Sequence, residues 1–559
     1  MENFFIKKVE KIAQTETEKI AFIQLDKKQE VNKLTYGEIV IKAKELSQKI
    51  KKYSINNAVA AIFLPSCIDI SIISLACMYA NITPIFKTIS DTLEKSRFDY
   101  QFEELVKAVK KIDLVITDID RLGLKQKCLD NNINFYSLKR EEDSIMKYKI
   151  NNERKIADLI IMTSGSTKSC KAVKLSFKNL KSCLENCKEE WDLNETSISL
   201  SWAPHSHVLG LITGFLLPMY SGGKSIIMSP NDFSEDPLSW IEIITKYDVT
   251  NCSTTLFGIE ICNKLYDEIR LKKTNLKNIN YIAIGGERIT SDTLQKFYEI
   301  YSKYNLKDRC FSPSYGMTEN SGVVCSITNK DEYWKVKINR DDLEFGVITE
   351  DDTEDGIEIT SVGKPPKETY IYIVNEEDKI LKEDRIGEII ISSPGLSEGY
   401  IAMEDDHSYF DFKCLEDRKI RRFFRTGDLG AFHKGELIIT GRSKDVINIK
   451  GKKYSPFDIE NIITNGLPYR MKSNAAFSVG DKGEEKVIIF QEITEKQKES
   501  KELIYRAIKE EIKKRMNLNV YDIIFLKANK IPRTESKKIQ RQKCKVIYEE
   551  YFYNEKEEA

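Results

Sequence analysis

Short, wholly apolar runs alternating with helical periodicity constrain this chain more than any other feature of its sequence. Lys33-Leu34-Thr35-Tyr36-Gly37-Glu38 precedes apolar residues at helical spacing, Ile39, Ala43, Leu46 and Ile50, which lead to Val59-Ala60-Ala61-Ile62-Phe63-Leu64. A second apolar helix is predicted over 68–79, a strand over 82–85, and another over 113–117. A strand with no polar face must be covered on both sides, so this alternation predicts a parallel sheet under helices. At 559 residues and 41% hydrophobic content, several domains with ordinary cores are expected.

One loop interrupts the pattern with different chemistry. Residues 159–162, Leu-Ile-Ile-Met, deliver the chain into Thr163-Ser164-Gly165-Ser166-Thr167-Lys168-Ser169-Cys170-Lys171, and the chain returns through Ala172-Val173-Lys174-Leu175. Glycine admits close backbone approach, the hydroxyls stand beside backbone N–H groups, and Lys168 and Lys171 add positive charge, so the loop suits phosphate. A polar surface turn has the same composition. Beyond it, Ser176 can cap a helix carrying Phe177, Leu180, Leu184 and Cys187 at helical spacing.

Charge and composition narrow the classes of partner. The formal net charge is +0 with lysines and acids intermixed, which gives no nucleic-acid or membrane signature. The chain starts Met1-Glu2-Asn3-Phe4-Phe5 and continues into charged residues, and the later apolar runs are too short to span a bilayer. A cytoplasmic protein without stable membrane insertion is expected. Twelve cysteines include no Cys-x-x-Cys pair, and Cys183 and Cys187 lie one helical turn apart, as free buried thiols would.

Downstream, apolar runs again empty into loops that carry chemistry. These are Trp202-Ala203-Pro204-His205-Ser206-His207-Val208-Leu209-Gly210-Leu211, then 226–230, and Tyr281-Ile282-Ala283-Ile284-Gly285-Gly286-Glu287. Open α/β sheets place ligands at such strand ends. His205 and His207 alternate on an extended segment and point opposite ways, with no third ligand nearby, which argues against zinc. Tyr315-Gly316-Met317-Thr318-Glu319 offers a ring that can stack on a base and a carboxylate that can hold magnesium; a plain turn is the other reading. From about 325 to 440 the sequence is strand-rich with Gly and Pro punctuation, and ends in Arg425-Thr426-Gly427-Asp428 and a hairpin at 433–436. Past Gly441-Arg442-Ser443-Lys444-Asp445 a small mixed domain follows, closing in the basic run 531–541, predicted as an exposed loop.

Taken in order, these motifs resemble the adenylate-forming enzymes, which include acyl-CoA synthetases, peptide-synthetase adenylation domains and luciferases; within them the chain looks most like the fatty acyl-AMP ligases. The resemblance runs from Leu34-Thr35-Tyr36 to Lys538. It implies an α/β fold: a large N-terminal domain, 1–443, of two sheet-and-helix subdomains plus a small β-barrel subdomain at about 325–440. A small, mobile α+β C-terminal domain, 444–559, would hinge at Lys444. It implies ATP and Mg2+ as cofactors. Thr163, Ser164, Gly165, Ser166, Thr167, Lys168 and Lys171 match the phosphate loop, Gly285, Gly286 and Glu287 should pass close to adenine, and Tyr315, Gly316, Met317 and Thr318 form the adenine motif. Glu319 would hold magnesium, Asp428 the ribose hydroxyls and Arg442 the nucleotide, with Lys538, His207 and Thr318 catalytic.

The implied reaction activates a carboxylic acid, a fatty acid first, as acyl-AMP with release of pyrophosphate. The acyl group would then pass to the phosphopantetheine thiol of an acyl carrier protein. Ile338-Asn339-Arg340-Asp341-Asp342-Leu343-Glu344 resembles the insertion by which fatty acyl-AMP ligases restrain the C-terminal domain and disfavour free coenzyme A; a variable surface loop is the other reading. Three departures stand out. Val208 replaces the usual Asp after His207, leaving chain length or an aryl acid open. Lys168 and Cys170 replace glycine and proline, and Lys537 replaces the glycine before Lys538. An acyl-CoA or aryl-acid–CoA synthetase remains an alternative, and a catalytically inactive nucleotide-binding regulator is one from another class.

Overall fold

Val59–Leu64 is a strand buried at every position, and the two-residue period of its side chains divides them between two cores. Val59, Ala61 and Phe63 join a core under the helices Lys95–Val109 and Leu124–Asp130. Ala60, Ile62 and Leu64 enter a larger core shared with a second sheet. The computed structural model describes the chain outside residues 1–2, 54–56, 90–93, 119–122, 140–142, 145–154, 164–169, 329–330, 332–334, 354–355, 402–406, 413–420, 450–451, 468–470, 481–484, 535–537 and 554–559.

The first sheet has seven strands, five of them parallel: Asn134–Ser137, Leu114–Thr117, Val59–Leu64, Thr83–Thr88 and Leu159–Thr163. Lys171–Leu175 returns antiparallel beside Leu159–Thr163, pairing Thr163 with Lys171. The helix Phe177–Glu190 follows, and Ser176 closes a capping box with Asn179 as expected from its position.

The second sheet has eight strands. Ile198–Ser201, Lys224–Ile227, Asn251–Thr254, Tyr281–Ile284 and Phe311–Met317 run parallel, so their carboxyl ends open on one crevice. Its far edge comes from the N-terminus: Ile20–Asp26 pairs with Lys224–Ile227, and Gln29–Thr35 turns back along it. Nothing in the local sequence of Ile20–Asp26 specifies this crossing. It is fixed by Tyr36, fully buried, whose hydroxyl lies 3.1 Å from the Pro218 carbonyl and 2.8 Å from that of Gly223.

Beyond the second sheet, Tyr370–Val374, Gly387–Ser392, Phe424–His433 and Glu436–Arg442 form a four-stranded antiparallel sheet. A ribbon of Lys335–Ile338 and Ile357–Thr360 packs on it through Ile338, Ile359, Ala431 and Ile438. From Ile447 on, two small cores use only residues of the C-terminal region. They hold the sheet Asn474–Val479, Lys486–Ile493, Val520–Lys527 under the helices Pro456–Gly466, Lys501–Met516 and Arg541–Tyr548.

The basic run 531–541 departs from the exposed loop read in the sequence. Ile531 is buried, the Ile531 and Lys530 amides both donate to Glu492 Oε1 at 2.8 Å, and Arg541 is ion-paired rather than solvated. Glu492 is itself a buried carboxylate, so two backbone donors supply the partners that its burial requires. No helix among the described residues is long and apolar enough to cross a membrane.

Asn179 joins the large sheets to the loop ahead of the site. Its Oδ1 accepts from the Ser176 amide at 3.0 Å, while its Nδ2 donates to Pro394 O at 3.0 Å and Leu396 O at 2.8 Å. Asn179→Ala removes a cap and leaves two carbonyls short of a donor, so a loss of about 2 kcal/mol is expected. It would be read as a lower urea midpoint with unchanged m; an unchanged midpoint would contradict the assignment.

Candidate functional site

Two groups of side chains meet at the crevice. The first is built on the return strand Lys171–Leu175, along which residues 399–401 pair through Lys174 N–Gly399 O and Ile401 N–Ala172 O. That pairing brings Tyr400 to Lys171, whose ammonium stands 4.5 Å from the Tyr400 ring centre and 4.7 Å from that of Tyr409. The Tyr400 hydroxyl donates to Glu319 Oε1 at 2.7 Å, and the Glu319 carbonyl accepts from Ser397 N. Thr163 ends the neighbouring strand opposite Lys171. The loop residues Ser164, Gly165, Ser166, Thr167 and Lys168, all singled out in the sequence, lie outside the described residues.

The second group centres on Asp428. Asp428 pairs with Arg442 across the hairpin register, and Arg442 Nε lies 2.9 Å from Asp428 Oδ1. Tyr315, buried at the end of its strand, donates its hydroxyl to Asp428 Oδ2 at 2.7 Å. Burial and the Asp428 carboxylate push the Tyr315 phenol well above its ordinary value, so it remains a donor. Thr426 Oγ1 accepts from the Asp428 amide, and Gly427, at φ 69°, sends its amide to Glu388 Oε1. The hairpin thus holds the carboxylate from several sides. Arg442 is held above its ordinary value chiefly by Asp428.

Lys538 reaches this group from the C-terminal region. A Cβ built on Gly286 would lie 3.4 Å from both Cε and Nζ of Lys538, which places the ammonium directly over the glycine. Gly286 has φ +90°, a backbone conformation that favours glycine, while the end of the Lys538 chain lies at ordinary contact distance from where a Cβ would stand. Burial pushes the Lys538 ammonium below its ordinary value, Glu287 opposes that fall, and Arg442 adds to it. Its loop is closed by Lys538 N–Thr534 Oγ1 and Thr534 N–Lys538 O.

His207 faces the same charge. It caps the short helix Val208–Leu211, its Nδ1 accepting from Leu209 N at 3.2 Å, so the neutral ring carries its proton on Nε2 as a donor. Burial, and next the charge of Lys538, push it down to about 3. His205 is separate: it is fully buried, with its ring edge-on to Phe86 and Phe215 and Nδ1 3.4 Å from Thr88 Oγ1. The two histidines do not converge, as the alternation of the segment implies.

Gly285 and Glu287 flank Gly286 at the end of Tyr281–Ile284, where Glu287 Oε1 accepts from Phe257 N. Gly316 and Met317 end the strand that carries Tyr315; Thr318 starts the turn that presents Glu319 and is itself buried. A Cβ on Gly316 would stand 2.5 Å from Gly322 O, so this strand end admits no side chain.

The segment 338–344 forms the end of a strand and the helix Arg340–Glu344, whose buried Glu344 meets Lys452 Nζ at 2.6 Å. That ion pair spans from this segment to the C-terminal region. Sequence reasoning missed Tyr400, Arg288 and Asp458; only Arg288 had a signal, standing directly after Gly285-Gly286-Glu287. Glu319 is the carboxylate able to hold a magnesium ion here, and no cluster of three or more ligating side chains occurs among the described residues. One carboxylate completed by substrate phosphates and water is how magnesium is commonly bound, so the donor set fits it.

Fully buried His205 and half-buried His207 both make stability depend on pH. In the unfolded chain they titrate near 6.5, but in the fold only near 3. The unfolded state therefore binds more protons between these values; stability is complete above pH 6.5 and falls as pH drops. His205→Gln should remove one proton from this dependence, flattening the pH 6.5 to 5 slope of the unfolding free energy by up to about 1.4 kcal/mol per pH unit. Parallel slopes for the two proteins would contradict this.

Residues 9–401, well over half of the chain, match the AMP-binding enzyme family. The medium-chain-fatty-acid–[acyl-carrier-protein] ligase JamA of Moorena producens is 28% identical over 545 residues, covering 94% of this chain and 92% of JamA. The 4-hydroxyphenylalkanoate adenylyltransferase of Mycobacterium marinum is 28% identical over 404 residues, covering 69% of this chain and 64% of that enzyme. Among solved structures, one from work on the fatty acyl-adenylate ligases of E. coli and L. pneumophila superposes with a TM-score of 0.86 at 23% identity over 98% of both chains. A fatty acyl-adenylate ligase from L. pneumophila in complex with acyl adenylate and pyrophosphate gives 0.71 at 24% identity, over 97% of this chain and 95% of that one. With its crevice of parallel strand ends, its Asp428–Tyr315–Arg442 group and Lys538 closing over Gly286, the chain belongs to the AMP-binding enzymes, the adenylate-forming family.

Proposed function

We propose that this protein activates a fatty acid with ATP to give acyl-AMP and pyrophosphate, and then passes the acyl group to the thiol of an acyl carrier protein. The observation that carries the reading is the placement of Lys538 Nζ over Gly286, within the field of Glu287, Arg442 and Asp428 and facing neutral His207. In the first step a carboxylate oxygen bonds to the α-phosphorus while the bond to the β-phosphate oxygen breaks. Negative charge gathers on the α-phosphate, and a half-buried, flexible ammonium stabilises it with less screening than bulk water would impose.

His207 Nε2–H is suited to donate to the substrate carboxylate and orient it. Asp428 offers its oxygens to ribose hydroxyls, and the 315–318 strand end the base. Thr163 to Lys171 would hold the departing phosphates, and Glu319 a magnesium ion that neutralises their charge. In the second step the carrier thiolate bonds to the acyl carbon and AMP leaves.

A fatty acid is supported by the similarity to JamA, named as a medium-chain-fatty-acid ligase. The carrier is supported by the similarity to JamA and by the Glu344–Lys452 bond from the segment 338–344 to the C-terminal region. We further assign 1–443 and 444–559 as N- and C-terminal domains turning about Lys444, which is exposed. The described cysteines are all free thiols, which suits action in the reducing cytoplasm.

The test supplies dodecanoate, ATP and Mg2+ with either coenzyme A or a holo-carrier. Carrier loading with little acyl-CoA is expected, and Lys538→Ala should lower carboxylate-dependent pyrophosphate release at least a hundredfold while ATP still binds. Efficient acyl-CoA formation without carrier loading would replace the reading with acyl-CoA synthetase; equal release by both proteins would favour an inactive regulator.

A further inference from the structure

The charged groups that surround Lys538 leave open what holds its whole domain in place. The loop after Gly286 continues directly into Arg288. Its guanidinium lies 2.9 Å from Asp458 Oδ1, and both side chains are about nine-tenths buried, at 10% and 11% exposure. The same guanidinium stands 5.1 Å from the ring centre of Phe457, so Asp458 and its neighbour grip one cation by charge and by ring face.

Asp458 lies in the first turn of the helix Pro456–Gly466. Two residues on, Glu460 takes Arg541 through both oxygens, at 2.9 and 2.6 Å, and Arg541 also approaches Asp445 Oδ2 at 3.6 Å. Gln542 Nε2 donates to the carbonyl of Lys444. Arg541 is three residues from Lys538. One helix turn therefore connects the loop bearing Gly286 to the loop bearing Lys538, and the second loop to residues 444–445. The order is Arg288, Asp458, Glu460, Arg541, Lys538, and it returns to its start because Lys538 Nζ rests over Gly286.

We propose that Arg288 and Asp458 are positioning residues for acyl-AMP formation: their buried ion pair, reinforced by Phe457, fixes the C-terminal domain so that Lys538 stands over Gly286. The pair acts through Lys538 and touches no substrate. A buried cation that loses its carboxylate is left uncompensated, so removing either partner unseats the contact, whereas exchanging the two charges preserves it. The pair must separate whenever the domain swings, which makes it specific to the adenylating arrangement. This inference rests on the proposed reaction for its kinetic readout, and on the exposed Lys444 for one that needs no reaction.

The full-length protein is compared with Arg288→Ala, Asp458→Ala and the doubly exchanged Arg288→Asp/Asp458→Arg. With dodecanoate and ATP, each alanine variant is expected to lower kcat for acyl-AMP formation about tenfold or more with KM for ATP within twofold, and the exchange to recover at least a third of the loss. In parallel, limited trypsin cleavage after Lys444 should quicken severalfold in each alanine variant and return toward the original rate in the exchanged one. If the wild-type protein forms no acyl-AMP, the reaction assignment fails, but a charge-dependent, exchange-reversible change in Lys444 cleavage still supports the clasp. Unchanged kcat and unchanged cleavage in both alanine variants overturn it, as does a loss that the exchange leaves entirely unrepaired.

Discussion

A half-buried lysine from one end of the chain, resting on Gly286 beside the strand ends of the crevice, is the contact on which the rest of this structure depends. Taking Lys538 out of water is costly, and burial indeed pushes its ammonium toward neutrality. The carboxylates of Glu287 and Asp428 counter that cost from the N-terminal side. Neither the lysine loop nor the crevice is complete alone: the first lacks its counter-charges, and the second lacks a mobile cation. The fold supplies both by ending five parallel strands at one crevice and closing a small, separately cored unit over it.

Electrostatic order in the crevice follows from burial. Tyr315 stays protonated and can only donate to Asp428, whose other oxygen is occupied by Arg442. His207 stays neutral because a positive neighbour and loss of water both oppose its charging, and its helix-capping bond selects the tautomer. Lys171 is placed by aromatic faces, and the Tyr400 that holds it also binds Glu319. The loop that reads as phosphate-binding is thereby tied to the carboxylate that reads as metal-binding, through a residue in neither motif.

Much of this was legible in the sequence where the signal was local. Val59–Leu64, Phe177–Glu190 with its Ser176 cap, and the hairpin at 433–436 follow from apolar runs, capping chemistry and turn residues. The candidate residues Gly286, Tyr315, Asp428, Arg442 and Lys538 are far apart in the chain, and only their resemblance to an ordered set of motifs brought them together before the structure did. What stayed hidden was set by distant partners. The strand Ile20–Asp26 gives no sign that it will pair with Lys224–Ile227. The basic run 531–541 looks solvated because Glu492 and Glu460, which neutralise and anchor it, stand far from it in the chain. Tyr400 and Asp458 sit in unremarkable sequence and matter only through what lies opposite them.

Acyl-AMP formation can be measured with no acceptor at all. Protein mixed with ATP, Mg2+ and dodecanoate is quenched within one turnover, and the products are resolved by mass spectrometry. Dodecanoyl-AMP and pyrophosphate are expected in equal amounts, each absent without the acid. Formation of ADP and phosphate, or ATP bound indefinitely with no acyl-AMP, would contradict the proposed reaction.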